Sequence, residues 1–367
     1  MEMIDTTRLE PRATVARPRD LRLPVTMQIN TYPLDLPHFP VSLAHQLRTF
    51  AGQVDRVIVS VDVRPPQSGR YKGDTKGERF VRSLEAMRAL YPVFEMQHNN
   101  LSFVEVDYSP AAKADVAGYF FGRDDIPDKA WDGGPFYCYF HGLRAAGPGY
   151  VLHMDADMLF GGQSQAWIAE AVDLLRQRED LLFVSPLAGP PHPEGLKGAH
   201  ANATHAYRRE TVDGRPAWRF NSVSTRIFLM DMARFESRIG HLALERPSKS
   251  QRLRAFLLGN PPQALSAEMV LSNTLKAHGM GNMHFLGSAE GMYSLHPPFH
   301  FEAFHKALPD LVARIERGEI PEGQRGDYDL NPSMVDLTPG LANHVWHRRA
   351  RRRLSDVAAY WRTRFFG

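Results

Sequence analysis

Two acidic triplets, Asp155-Ala156-Asp157 and Asp327-Tyr328-Asp329, set paired carboxylates two residues apart. With 23 Asp among 367 residues, about 1.4 such triplets arise by chance, so the spacing alone carries little weight. Context separates the two. The second lies among Gly, Pro and Glu and reads as solvated surface. The first follows YVLHM (150–154), a hydrophobic run that reads as a buried strand. Open α/β sheets place ligands at the carboxyl ends of their strands. Two carboxylates there repel each other. A hard divalent cation, Mn²⁺ or Mg²⁺, offsets that repulsion and is shared with substrate phosphates. The plainer reading is a strand-end turn with an Asp capping the next helix.

Other side chains invite chemistry less strongly. Glu268 sits in the first turn of a helix expected over 266–278, where the helix dipole alone favours an acid. His296, His300 and His305 cluster in sequence, but Pro297-Pro298 blocks the helical spacing that a zinc site built from these three would use. His192, His200 and His205 fall in a Gly-, Pro- and His-rich stretch, where they either face a substrate or lie exposed. Cys138, the sole cysteine, lies between two Tyr and reads as buried packing. The chain has no Gly-x-Ser-x-Gly elbow, no Walker loop, no Gly-x-Gly-x-x-Gly after a strand and no Cys-x-x-Cys.

The elements that would position these residues alternate between strand and helix, which predicts an α/β sheet with crossover helices. Residues 25–30 read as a first strand, turned by Thr31-Tyr32-Pro33. Apolar residues at 43, 44, 47 and 50 predict a helix over 41–50. RVIVSVD (56–62) is a β-branched run suited to a buried parallel strand. A loop over 64–77 precedes an amphipathic helix over 78–91, which Pro92 should stop. A strand at 101–106, an aromatic-rich helix at 136–146 and the strand at 150–154 complete the first half. The second half reads as a helix at 165–178, a strand at 181–185, a long loop at 188–215, a strand at 223–230, helices at 266–278 and 308–317, and a last helix from about 341.

Composition narrows the function classes. Hydrophobic residues at 43% and charged residues at 23% are an ordinary globular mix. That excludes a mostly disordered chain, a collagen-like fibre and a disulfide-stapled mini-protein. One cysteine permits no intrachain disulfide, and a reducing cytoplasmic compartment is expected. No apolar run approaches the roughly 18–20 residues that span a bilayer. Residues 1–24 mix Arg with acids, Thr and Pro and read as a disordered leader. The net charge of +3 hides an asymmetry: the last 24 residues, with seven Arg and one Asp, carry +6, which leaves −3 for the rest. Trp346, Tyr360, Trp361, Phe365 and Phe366 interleave with those Arg. Residues 344–367 therefore suit an anionic membrane surface, or a helix that docks its aromatics and leaves its Arg solvated. No recognition motif supports nucleic acid, and the acidic body opposes it.

YVLHMDADMLFGG (150–162) resembles the Asp-x-Asp segment of GT-A fold glycosyltransferases. Three further segments fall in the matching order. Thr31-Tyr32-Pro33 and the strand ending at Asp62 resemble the nucleotide-binding half of that family. FNSVSTRIFLMD (220–231) looks like a strand with donor-sugar contacts. AEMVLSNTLKAHG (267–279) is similar to the family-2 helix E-D-x-x-L-S-x-x-L-x-x-x-G, with Ala267-Glu268 in place of Glu-Asp. Cys-Tyr-Phe-His-Gly142 replaces the Ala-Arg-Asn-x-Gly segment of the main branch.

The resemblance implies a GT-A-like Rossmann-type mixed sheet flanked by helices, with a C-terminal helical extension. Residues 25–162 would bind the nucleotide-sugar, 163–300 would form the acceptor half, and 301–367 the extension. It implies a transferase that moves a sugar from a UDP- or GDP-sugar to a hydroxyl of a saccharide, lipid-linked or other acceptor. Thr31, Tyr32, Asp62, Asp155 and Asn221 would contact the donor. Asp155, Asp157 and His296, with His300 as competitor, would hold Mn²⁺ or Mg²⁺. Glu268 would deprotonate the acceptor and invert the anomeric centre, with a retaining course open. Such an enzyme is expected in the cytoplasm, with the tail at the inner face of the membrane. Two rivals stand beside it. One is a sugar-nucleotide nucleotidyltransferase, which usually has a Gly-rich basic loop after its first strand, and residues 31–40 have none. The other is a non-catalytic protein that binds membrane or polyanion through the tail.

Overall fold

Strand β1 (Val25–Thr31) buries every residue but Asn30, as a central strand covered on both faces must. The computed structural model that shows this describes residues 23–65, 77–197, 207–343 and 345–366. The expected leader, apart from Leu23 and Pro24, and most of the expected 64–77 loop lie outside the described residues.

The sheet order is β3-β2-β1-β4-β9-β6-β10-β8-β7. Strands β2 (Arg56–Val61), β3 (Leu101–Glu105) and β4 (Tyr150–Asp155) run parallel with β1. β9 (Ile227–Asp231) runs antiparallel between β4 and β6 (Leu181–Ala188). β10 (Gly281–Phe285) then pairs with β6 and with the hairpin β7 (Tyr207–Val212) and β8 (Arg215–Phe220). Two short strands, β5 (Leu159–Gly161) and β11 (Tyr293–Leu295), pair with each other beside β6. The expected mixed α/β sheet flanked by helices is what the chain forms.

The helices are α1 (Phe39–Phe50), α2 (Glu78–Arg88), α3 (Tyr91–Gln97), α4 (Pro110–Phe121), α5 (Tyr137–Ala146), α6 (Trp167–Gln177), α7 (Met232–Arg234), α8 (Lys249–Leu258), α9 (Ala267–Ala277), α10 (Glu302–Glu316), α11 (Thr338–Asn343) and α12 (Trp346–Phe366). Alternation along the strands divides the core in two. Met27, Ile29, Leu152 and Met154 face a core shared with α1, α6 and α10. Val151, Phe228 and Met230 face a core shared with α4, α5 and α9. α10 buries Phe304, Leu308, Leu311 and Ile315 in the first core and packs on α1 and β5, so the core continues past residue 300.

Two local expectations are corrected. Pro92 does not end the helical region; it opens α3, where a missing N–H at the first turn costs nothing. The expected loop at 188–215 contains β7 and reaches β8, which are joined by Asp213-Gly214 at φ 50° and 76°. That dipeptide matches the strand twist and is a strong hairpin signal. Residues 198–206, with His200 and His205, lie outside the described residues. Cys138 is buried and free, as expected.

Candidate active site

From β1 the chain winds outward through β2 to β3; from β4 it builds the other way. The strand order reverses between β1 and β4, and ligands of open sheets bind at such a switch point. The two carboxyl ends lie side by side, with Asn30 in register with Asp155.

Helix α1 fixes the turn that follows β4. Gln46 Nε2 donates to the carbonyls of Asp155 (3.1 Å) and Met158 (3.0 Å), and Phe160 N–H donates to His45 Nε2 (2.9 Å). β5 then pairs with β11, and Leu159 opposite Leu295 delivers His296 to Asp157. The approach needs Gly161-Gly162. A Cβ on Gly161 would meet the Tyr293 ring at 2.2 Å, and one on Gly162 (φ 84°) would meet the Gly291 carbonyl oxygen at 2.5 Å.

His296 Nε2 lies 3.9 Å from Asp157 Oδ2. Its Nδ1–H donates to Asp329 Oδ1 at 2.7 Å, with Arg226 Nη1 3.3 Å from the same nitrogen, and its Nε2 faces Asp157. Main-chain bonds from His296 N–H to the Tyr328 carbonyl and from Leu330 N–H to the His296 carbonyl hold the pair in place. Asp329 is thus no idle surface residue, contrary to the sequence reading. His300 also reaches the site, and its Nε2 lies 3.1 Å from Asp157 Oδ2. Both histidines thus stand beside one carboxylate oxygen, His300 the nearer. The Arg226 guanidinium stands in electrostatic contact with Asp155, Asp157 and Asp329.

The electrostatics are polarised. Burial, and then the Asp157 charge, push the Asp155 carboxyl well above the usual carboxylate range, against the pull of Arg226. Burial acts on Asp157 in the same sense, but the His300 hydrogen bond and the His296 charge outweigh it and bring Asp157 down to about 2. Asp157 Oδ1 is buried and has no partner among the described residues. An orphaned carboxylate oxygen flanked by a second carboxylate and an oriented imidazole fits a divalent cation. The Asp155 side chain keeps 40% of its surface exposed.

The other expected residues surround this pair at different distances. Thr31 Oγ1 donates to Asp35 Oδ2 (3.4 Å), and Tyr32 N–H donates to the same oxygen (2.8 Å). Burial, then the Asp157 charge, raise Asp35 to about 6, against the Tyr32 bond. Asp62 is buried at the end of β2, with Oδ2 paired to Lys129 Nζ (2.9 Å) and Oδ1 accepting from Tyr108 O–H (2.9 Å). Glu268 is exposed on the first turn of α9, capped by Ser266, and Thr225 N–H faces its Oε2 at 3.5 Å. The same segment reaches the carboxylate pair: Asp155 N–H donates to the Arg226 carbonyl (2.9 Å), and His153 Nε2–H to the Thr225 carbonyl (2.8 Å). Asn221 lies exposed between β8 and β9 and makes no hydrogen bond among the described residues.

Sequence reasoning missed Asp35, Arg226 and Asp329. Asp35 had a signal, an acid in the turn at the mouth of β1. Arg226 sits within a quoted segment, one residue before a strand that lies beside β4. Asp329 had only its weak triplet.

No family model and no curated protein matches the chain. Among solved structures it is similar to a nucleotidyl transferase from Methanothermobacter thermautotroptrophicus, with 11% identity, a TM-score of 0.29, and coverage of 73% of this chain and 88% of that chain. A likeness this distant assigns no activity.

Proposed function

We propose that the protein is a metal-dependent glycosyltransferase of GT-A type that uses a nucleotide-sugar donor. One observation carries the reading: at the β1/β4 switch point, Asp155 and Asp157 meet a histidine whose outer nitrogen is already held by a carboxylate. Asp155, Asp157 and His296 would hold Mn²⁺ or Mg²⁺, which when bound neutralises charge on the departing nucleoside diphosphate. Arg226 supplies a fixed positive charge for the same phosphates. Thr31 and Tyr32 line the mouth of β1, where the nucleoside would lie, and Asp62 keeps Lys129 and Tyr108 oriented beside it. Glu268, across the 223–226 segment from Asp155, takes the proton of the acceptor hydroxyl. That oxygen attacks the anomeric carbon as the carbon–phosphate oxygen bond breaks, which inverts the centre.

The partner we infer for the C-terminal face is an anionic lipid surface. α12 packs on α8, with Trp361 against Phe256 at 5.2 Å. α8 exposes Leu253 (61%) and Phe256 (57%), and α12 exposes Trp346 (78%) on one side and Arg348, Arg351 and Arg362 roughly opposite to it. Apolar side chains on one side of a helix and basic ones on the other suit the headgroup region. No described helix is long and apolar enough to cross a membrane.

A thermal-shift series with UDP, GDP, CMP and their sugars tests the reading, with Mn²⁺ and then with EDTA. A ligand at a hundred times its Kd stabilises by about 2.7 kcal/mol. The expected result is a Mn²⁺-dependent shift with one nucleotide that Asp157→Asn abolishes. No shift with any nucleotide refutes the reading. Pyrophosphate release from a nucleoside triphosphate and a sugar 1-phosphate would instead make the protein a nucleotidyltransferase.

A further inference from the structure

The turn that leads into α1 and the start of α10 bring three imidazoles together beside Asp157. His38 is buried just before α1, His300 precedes α10, and His305 lies in its first turns. One ring nitrogen from each lies within 4.8 Å of the other two. We propose that His38, His300 and His305 form a second metal site, selective for Zn²⁺ or a similar borderline transition ion and separate from the carboxylate site at Asp155, Asp157 and His296.

The ring geometry supports this. With Zn–N at about 2.0–2.1 Å and each centroid about 1.2 Å behind its nitrogen, three imidazoles on one tetrahedral ion have centroids about 5.2 Å apart. The observed separations are 4.7 Å (His38–His300), 5.9 Å (His38–His305) and 6.1 Å (His300–His305). The nitrogens, within 4.8 Å of one another, would close to about 3.3 Å on a tetrahedral ion through side-chain rotation. Ring stacking alone leaves a defect: His305 Nε2 is buried without a partner among the described residues, which costs folding free energy. An ion removes that defect. The donor set also sorts the metals, since three neutral imidazoles favour zinc whereas paired carboxylates favour magnesium or manganese. Asp157 Oδ2, 3.1 Å from His300 Nε2, supplies the carboxylate that metal-bound histidines commonly have beside them. Bound zinc would tie the end of the β1 turn to α10, two segments 262 residues apart in sequence at His38 and His300.

The test uses the full chain, stripped of metal and kept in excess Mg²⁺ to occupy the carboxylate site, with Zn²⁺ affinity read against a chromophoric chelator. The expected result is one Zn²⁺ per chain. His38→Gln and His305→Gln should each weaken it at least 100-fold, and Asp155→Asn should leave it within threefold. Cobalt in place of zinc should show the visible bands of a four-coordinate ion, lost in both histidine variants. His305 is only half-buried, so His305→Gln remains informative if His38→Gln fails to fold. Zinc affinity within threefold of wild type in His305→Gln overturns the proposal. So does loss of zinc in Asp155→Asn alone, which would put the ion on the carboxylates. The nucleotide-dependent shift with Mn²⁺ tests a different site, so either idea can fail without the other.

Discussion

Removal of the Asp329 carboxylate should weaken binding of Mn²⁺ while leaving the fold intact. In the structure Asp329 accepts the Nδ1–H of His296 at 2.7 Å and so favours the orientation in which Nε2 faces Asp157, and its charge also acts on Arg226. Loss of such an outer carboxylate typically lowers metal affinity 10- to 100-fold, or about 1.4–2.7 kcal/mol. The folding cost is smaller. The Asp329 side chain is 41% exposed, so solvent screens its charge and the pair contributes about 1 kcal/mol at most. His296 also keeps its ring stack on Tyr328 (5.8 Å) and its main-chain bonds. Asp329→Ala should therefore shift affinity rather than stability. Asp329→Asn should fall between, because the amide oxygen still accepts the same proton but carries no charge. Free Mn²⁺ followed by electron paramagnetic resonance gives the affinities. Asp329 acts through His296, so the double variant Asp329→Ala/His296→Ala should bind no more weakly than His296→Ala alone. Asp329→Ala within twofold of wild type, or additive losses in the double variant, would refute the argument.

Glu268→Gln should cut turnover by 10²- to 10⁴-fold, the usual worth of a general base, while the nucleotide-induced thermal shift stays as in wild type; a parallel loss of nucleotide binding would remove Glu268 from the acceptor side. Gly162→Ala should lower the urea midpoint by the equivalent of about 1–3 kcal/mol, because φ is 84° and the new Cβ meets the Gly291 oxygen at 2.5 Å; an unchanged midpoint would mean that the β5–β11 ribbon is not fixed there. In EDTA, Asp35→Asn should stabilise the protein increasingly as pH rises. The folded carboxyl, raised from 3.8 to about 6, keeps its proton longer than the unfolded one, so wild-type stability falls between those values. The benefit is absent below pH 4, complete above pH 6 and ~3 kcal/mol at most; a variant difference that stays flat with pH would show that Asp35 is not held in that environment. Arg351→Ala/Arg362→Ala should reduce partition onto phosphatidylserine vesicles about 30-fold at low salt, at ~1 kcal/mol per Arg, and partition insensitive to salt or to both substitutions would rule out the basic face.

Strand content was legible where burial is complete on both sides. β1, β2 and β4 are apolar runs bounded by turns, and a central parallel strand produces that pattern. β10 was not legible: GNMHF carries Asn282 and His284, which hydrogen-bond to each other inside the protein at 3.0 Å, so a buried strand looks polar in sequence. Helix α4 was missed for a related reason. Its residues PAAKADVAGYFF are apolar nearly all round, so no clear stripe marks it, though the Ser109 cap and Gly122 stop frame it well.

The site divides along the same physical line. Asp155 and Asp157 could be read because a strand end places two neighbours in sequence at one point in space. The residues that make their spacing useful come from elsewhere in the chain: Gln46 from α1, Arg226 from the entry to β9, and Asp329 from a loop beyond α10. Gln46 and Arg226 have no local signature and Asp329 only its weak triplet, because their roles are set by sheet order and not by sequence neighbours. Sequence does register their effect indirectly, through Gly161 and Gly162. Two adjacent glycines at the end of the buried β5 are costly to order. They are needed because β11 must come close enough to carry His296 to Asp157, and a side chain at either position would hold the two strands apart. The pair of glycines is thus the local trace of a long-range contact, and it marks the end of the Asp-x-Asp segment as part of the site.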